Sequence, residues 1–115
     1  MNSHDIEKSK ALIIVEIIEY VPNSVVSKTI IKKSTGTVSV VAIEAGEGLT
    51  EKTSPFDTFA QIIEGKAEIV LNGKSNMMET GQSIIIPAFT SNIVKANERF
   101  KMILTVIKSG EENEA

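Results

Sequence analysis

The 115-residue sequence has no cysteine, no tryptophan, one tyrosine, one histidine and three prolines. Each shortage closes a class of function. Without cysteine there can be no disulfide, no thiolate metal site and no cysteine nucleophile, and the composition fits a reducing compartment. The single histidine, His4, stands in a polar leader, where it reads as a terminal residue rather than a ligand. Tyr20 and four phenylalanines are too few for the aromatic platforms that stack single-stranded nucleic acid. No basic cluster exceeds Lys32-Lys33, and the net charge is -3. Such a chain has no general attraction to a phosphate backbone, so nucleic acid is not an expected partner. The longest apolar run, ALIIVEIIEYV, carries Glu16 and Glu19, and is too short and too charged to span a bilayer. The start, MNSHDIEKSK, lacks the basic-then-apolar layout of a signal peptide. The expectation is a cytoplasmic protein with no membrane partner.

What the chain does have is isoleucine and valine, well in excess of leucine. These β-branched side chains fit a pleated, half-buried surface. Short apolar runs recur between turn signals: VVSKTII, TVSVVAIEA, TFAQIIEG, AEIVL, KSNMM, SIIIP, SNIVKA and FKMILTVIK. Their spacing predicts an all-β sandwich or barrel. Asn72-Gly73 supplies the two positive-φ residues of a type I′ turn, so AEIVL and KSNMM should pair as a hairpin. Ser34-Thr35-Gly36 should turn a second hairpin, and Gly46, Gly48, Gly65 and Gly81 mark bends. In residues 11–21, Glu16 and Glu19 sit three apart and would share one helix face. A short helix packed on the barrel is the preferred reading, with a buried strand as the alternative. The chain thus divides into an N-terminal segment (1–23), a β-barrel (24–108) and a frayed acidic tail (109–115).

The segment from Gly46 to Gly65, with EKTSPFDTFAQIIEG inside it, resembles the first motif of the cupins. These are small antiparallel barrels of the jelly-roll, RmlC-like type. That motif runs from a glycine through a His-x-His pair and an acidic or amide residue to a second glycine. The second motif, a glycine, a proline and a further histidine, fits from Gly81 through Pro87 to Asn92. The lead-in SPFD and the run ERFKMILTVIK look like a subgroup of short single-domain cupins, and the resemblance extends from about Ser24 to Lys108. It implies a cupin barrel and a homodimer. The early run VVSKTII could pair across such an interface and remove an exposed edge.

The ligands of the family frame do not carry over. Its histidines fall on Lys52, Ser54 and Asn92, its acidic or amide position on Thr58, and the glycine two residues after its proline on Phe89. Family members hold a divalent metal with imidazole and carboxylate groups. A lysine ammonium has donors but no lone pair, and neutral serine, threonine and asparagine are weak ligands. No metal or other cofactor is expected, and no catalytic residue is assigned.

Lys52, Ser54, Thr58 and Asn92 are the candidate ligand-binding residues. Lys52 is either a solvated loop lysine or the cation for a small anionic or carbonyl-bearing molecule. Thr58, Ala60 and Ile62 share one strand face, and with Asn92, Val94 and Ala96 they would line a mostly apolar pocket or fill the barrel. Asp57 reads as a turn residue accepting backbone N–H groups, Glu44, Glu47 and Glu51 as a solvated acidic loop, and Glu98-Arg99 as a turn. Phe56, Phe59, Phe89 and Phe100 read as core or interface residues. The preferred function is a metal-free barrel that binds a small molecule. The alternatives are an interaction protein with a filled barrel and a metal-independent, isomerase-like enzyme.

Overall fold

The computed structural model describes residues 6–108, so the predicted tail and His4 lie outside the described residues. Eight strands follow in chain order: β1 Val25–Lys33, β2 Gly36–Ile43, β3 Gly48–Lys52, β4 Asp57–Leu71, β5 Lys74–Glu79, β6 Ser83–Ile86, β7 Asn92–Lys95 and β8 Phe100–Ile107. All pairings are antiparallel. The 15-residue β4 belongs to two sheets. Its first half pairs with β6 and β8, the latter leading on to β2 and the edge strand β1; its second half pairs with β5 and β7, with β3 outside β7. The two sheets curl around a common core in a jelly-roll arrangement. Among the described residues no helix is long and apolar enough to cross a membrane.

The sequence signals map onto this layout with two differences. Asn72 and Gly73 take φ of 48° and 83° and join Leu71 to Lys74, as a type I′ hairpin requires. Ser34 and Thr35 link the paired Lys33 and Gly36. The runs TFAQIIEG and AEIVL are one continuous strand, bent at Gly65 with a register shift between Ile62 and Glu64. Gly65 has φ +89°, and a Cβ there would collide with the carbonyl of Arg99. Only glycine turns the strand at that point without displacing β8. Gly48, by contrast, marks no bend: it opens β3, a strand that the apolar pattern did not reveal.

The expected helix in residues 11–21 is a correction. That stretch contains one 3-10 turn, Ile14–Glu16, and is otherwise irregular. Its Ile- and Val-rich sequence loses rotamer freedom in a helix. Two carbonyls that a helix would satisfy internally are taken by side chains of the barrel. Lys101 Nζ donates to Val15 O at 2.6 Å and Lys28 Nζ to Ile17 O at 3.5 Å. The segment packs across the outer face of β1 and β2, where Ile18, Val40 and Ala42 form a second small core with Ile17, Tyr20 and Ile63.

The main core lies between the sheets. Val41, Ile43, Ala60, Ile62, Ile69, Phe100 and Met102 are among its buried members. Of the phenylalanines, Phe100 is fully buried whereas Phe59 and Phe89 are exposed. Phe59 and Phe89 are therefore not core residues.

Candidate functional site

Alternation along β4, β7 and β8 sends Thr58, Asn92 and Val106 into one end of the barrel. Thr58 stands opposite Ile86 and Val106, and Asn92 opposite Lys52. A cavity of about 150 Å³ occupies this end. Its polar lining is Lys52, Ser54, Thr58, Thr90 and Asn92. Its walls are apolar: Leu49, Phe56, Ile86 and Leu104, with Val94 and Met102 at the boundary with the packed core. Mostly apolar walls with a few convergent polar groups are the usual composition of a small-molecule site.

All four residues singled out by sequence thus border one space. The predicted apolar lining is partly corrected. Val94 reaches the cavity, but Ala60, Ile62 and Ala96 belong to the packed core. The residues that take their place, Leu104 and Val106, were readable from the period-two pattern of FKMILTVIK. Phe56 and Thr90 come from loops, which carry no such period.

Two loops form the rim, and two hydrogen bonds fix them to each other. The N–H of Phe89 donates to Ser54 O at 2.6 Å, and the N–H of Ala88 to Asp57 Oδ1 at 2.8 Å. Asp57 thus does the backbone-capping work expected of it. Ser54 Oγ accepts the N–H of Phe56 at 3.1 Å. In the second loop the N–H of Thr90 donates to Pro87 O at 3.2 Å. Phe89, third residue of this turn, has φ +64° and is 78% exposed. That position ordinarily calls for glycine, and it is the position at which the family frame has one.

Asn92 is 6% exposed. Its Nδ2 donates to Lys52 O at 3.2 Å and, more weakly, to Thr90 O at 3.5 Å. Lys52 is the one charged side chain of the lining, and it makes no salt bridge with any described residue. The donor set does not fit a divalent transition metal. An ammonium, two neutral hydroxyls and an amide face the space where the family's imidazoles would converge. Among the described residues no three His, Cys, Asp or Glu side chains stand together.

The ionic groups gather instead at the opposite end of the barrel. Arg99 donates twice to Glu44, at 2.7 and 3.0 Å, and lies 4.4 Å from the Tyr20 ring centre. Glu44 is therefore a partner of Arg99 rather than part of a freely solvated loop. Arg99, followed by Ala45 N–H, holds the Glu44 carboxyl below its ordinary range. Tyr20 donates to Glu64 at 2.7 Å. Burial, with Glu64 beside it, pushes the Tyr20 phenol well above its ordinary value, so it stays a donor. Lys101, buried in the same group, lies 3.8 Å from Glu64. Partners 44, 55 and 86 residues apart leave no local signal, and sequence reasoning missed this cluster.

No protein-family model matches the chain, and no curated protein matches it. Solved structures do. A conserved protein of unknown function from Streptococcus pyogenes is 26% identical, with a TM-score of 0.87 over 92% of this chain and 93% of the other. A cupin superfamily protein from Desulfitobacterium hafniense is 21% identical, with a TM-score of 0.85 over 91% of this chain and 96% of the other. A cupin 2 conserved barrel domain protein from Leptotrichia buccalis is 27% identical, with a TM-score of 0.79; the match covers 82% of this chain and 46% of that longer one. The two near-complete overlays and the shared barrel architecture give the conclusion: by its fold, this chain is a small cupin domain.

Proposed function

We propose that this cupin barrel binds a small organic anion without a metal, with Lys52 as the cation at the mouth and Ser54, Thr58 and Asn92 as polar contacts. The observation that carries the reading is the cavity of about 150 Å³, apolar in its walls and bordered by a single charge of positive sign. A carboxylate at Lys52 would leave the rest of the ligand against Leu49, Ile86 and Leu104. A barrel wholly filled by side chains is favoured less, since the inward residues above Val94 and Met102 leave open space. An enzyme is also favoured less, since Lys52 is the sole lining residue with an ionisable side chain other than hydroxyl groups.

A homodimer and a cytoplasmic location belong to the same proposal. What supports the dimer is a row across the outer face of one sheet. Ile85, Phe59, Thr105, Val38 and Ile31 are neighbours in register, and Ile85, Phe59 and Ile31 are exposed.

The test is titration with phenylacetate, followed by calorimetry and by melting temperature. A native-state ligand raises the melting temperature. Lys52→Met should raise Kd roughly five- to tenfold, the range for a hydrogen-bonded charge at a partly solvated rim, with an unchanged urea midpoint. Failure of both phenylacetate and mandelate to bind, or binding indifferent to Lys52→Met, would overturn the reading.

A further inference from the structure

Asn92 points to the chemistry of the ligand's head. Its amide nitrogen faces two backbone carbonyls, Lys52 O and Thr90 O. Carbonyls only accept, so these contacts fix the orientation of the carboxamide and leave Oδ1 on the other side. Oδ1 has no donor among the described residues, although Asn92 is 6% exposed and lines the cavity. A buried acceptor without a donor is uncommon and destabilising. Lys52, on the neighbouring strand and opposite Asn92 in register, offers the reverse chemistry, donors and no acceptor. A carboxylate alone satisfies Lys52 and would set a second acceptor near Oδ1.

We infer that the head group carries a hydroxyl donor beside its negative charge, and that the site takes a small 2-hydroxy acid. This rests on the anion-binding reading above. The carboxylate goes to Lys52, the hydroxyl donates to Asn92 Oδ1, and the hydroxyls of Ser54 and Thr58 complete the polar ring. The tail is bounded by size. The cavity measures about 150 Å³, a volume that holds about one benzene ring when the walls are apolar. The class is therefore a monocarboxylate with a 2-hydroxyl and a body of about four to six carbons.

Three probes that differ by one group test this: mandelate, phenylacetate, which lacks the hydroxyl, and 1-phenyl-1,2-ethanediol, which lacks the charge. Calorimetry on the wild-type protein should show one enantiomer of mandelate binding roughly tenfold more tightly than phenylacetate, the effect of supplying a partner to a buried acceptor. The diol should bind more weakly than mandelate. In Asn92→Leu the advantage of mandelate over phenylacetate should shrink to within about twofold. Equal affinities for mandelate and phenylacetate in the wild type would overturn the 2-hydroxy acid and leave the anion site standing. If neither acid binds, both readings fall. The wild-type comparison decides the matter even if Asn92→Leu does not fold.

Discussion

The two ends of the barrel interior are built from the same strands and have opposite contents. At the closed end Ala60, Ile62, Ala96 and Phe100 point inward and are buried against one another. Two to four residues further along the same strands, the inward positions are Thr58, Asn92 and Leu104, and there the interior stays open. The ionic groups follow the same division. At the closed end Arg99, Glu44, Glu64 and Lys101 all have partners, whereas Lys52 at the mouth forms no salt bridge with any described residue. One end therefore holds the fold, and the other is free to change its contents.

The strongest way to break this comparison is to replace one inward residue at each end. Phe100 is fully buried, and Phe100→Ala should cost about 3–5 kcal/mol through lost contacts and a residual cavity. Thr58→Val, at the mouth, keeps the volume and should change stability by less than about 1 kcal/mol. Urea denaturation of the two variants measures both. Similar losses would mean that the mouth is as much a part of the core as the floor.

The next effect concerns Gly65 at the closed end. A Cβ there meets the Arg99 carbonyl, and φ is +89°. Gly65→Ala should lose roughly 2–4 kcal/mol, combining left-handed strain with displacement of β8. Gly73 has nearly the same φ, +83°, but open space around it. Gly73→Ala should lose only the strain, about 1 kcal/mol. The difference between the two in urea midpoint isolates the backbone contact from the dihedral.

These elements also show what was legible in the sequence. Asn72-Gly73 and the alternation in TFAQIIEG are local patterns with one structural solution, so the hairpin and the inward face of β4 could be read directly. The glycine and proline frames placed Lys52, Ser54, Thr58 and Asn92 around one space, because spacing along strands and turns is conserved by geometry even when side chains change. The depth of the cavity was not legible. Ala60 and Thr58 obey the same alternation, and only the facing side chains of β7 and β8 decide which of them meets empty space. Residues 11–21 misled for a related reason. Their periodicity suits a helix, but Lys101 and Lys28, far away in sequence, take up the carbonyls. The strand β3, GLTEK, has one apolar residue and exposed neighbours, so its pattern carried no strand signal.

Phe89 sharpens the comparison from the mouth side. It shares the sign of φ with Gly65, at +64° against +89°, yet it carries the bulkiest kind of side chain. The closed end cannot tolerate this, because the Cβ of residue 65 would strike β8. At the mouth the ring projects outward and is 78% exposed. The dihedral strain there, about 1–2 kcal/mol, is the whole penalty. Phe89→Gly removes it but frees the unfolded chain, at a cost of about 0.5–1 kcal/mol. The net result should be a gain of about 0.5 kcal/mol, read as a small rise in urea midpoint. A loss of stability would show that the ring makes a contact worth more than the strain.

The smallest effect should separate the two ends by pH. Glu44 at the closed end is held below the ordinary carboxylate value of 4.5, first by its hydrogen bonds from Arg99 and then by the N–H of Ala45. A carboxylate with a depressed value binds fewer protons folded than unfolded. Its contribution is therefore complete above about pH 4.5 and is lost as the pH falls through the depressed value. Glu44→Gln removes that contribution at every pH. The wild type should exceed Glu44→Gln in urea midpoint at about pH 7, and the gap should narrow as the pH falls below about 4.5. Lys52→Met at the mouth should show no such narrowing gap, since its ammonium has no carboxylate partner among the described residues. A pH-dependent gap for Lys52→Met would place an acidic group against Lys52 and remove the basis for calling the mouth a free cationic site.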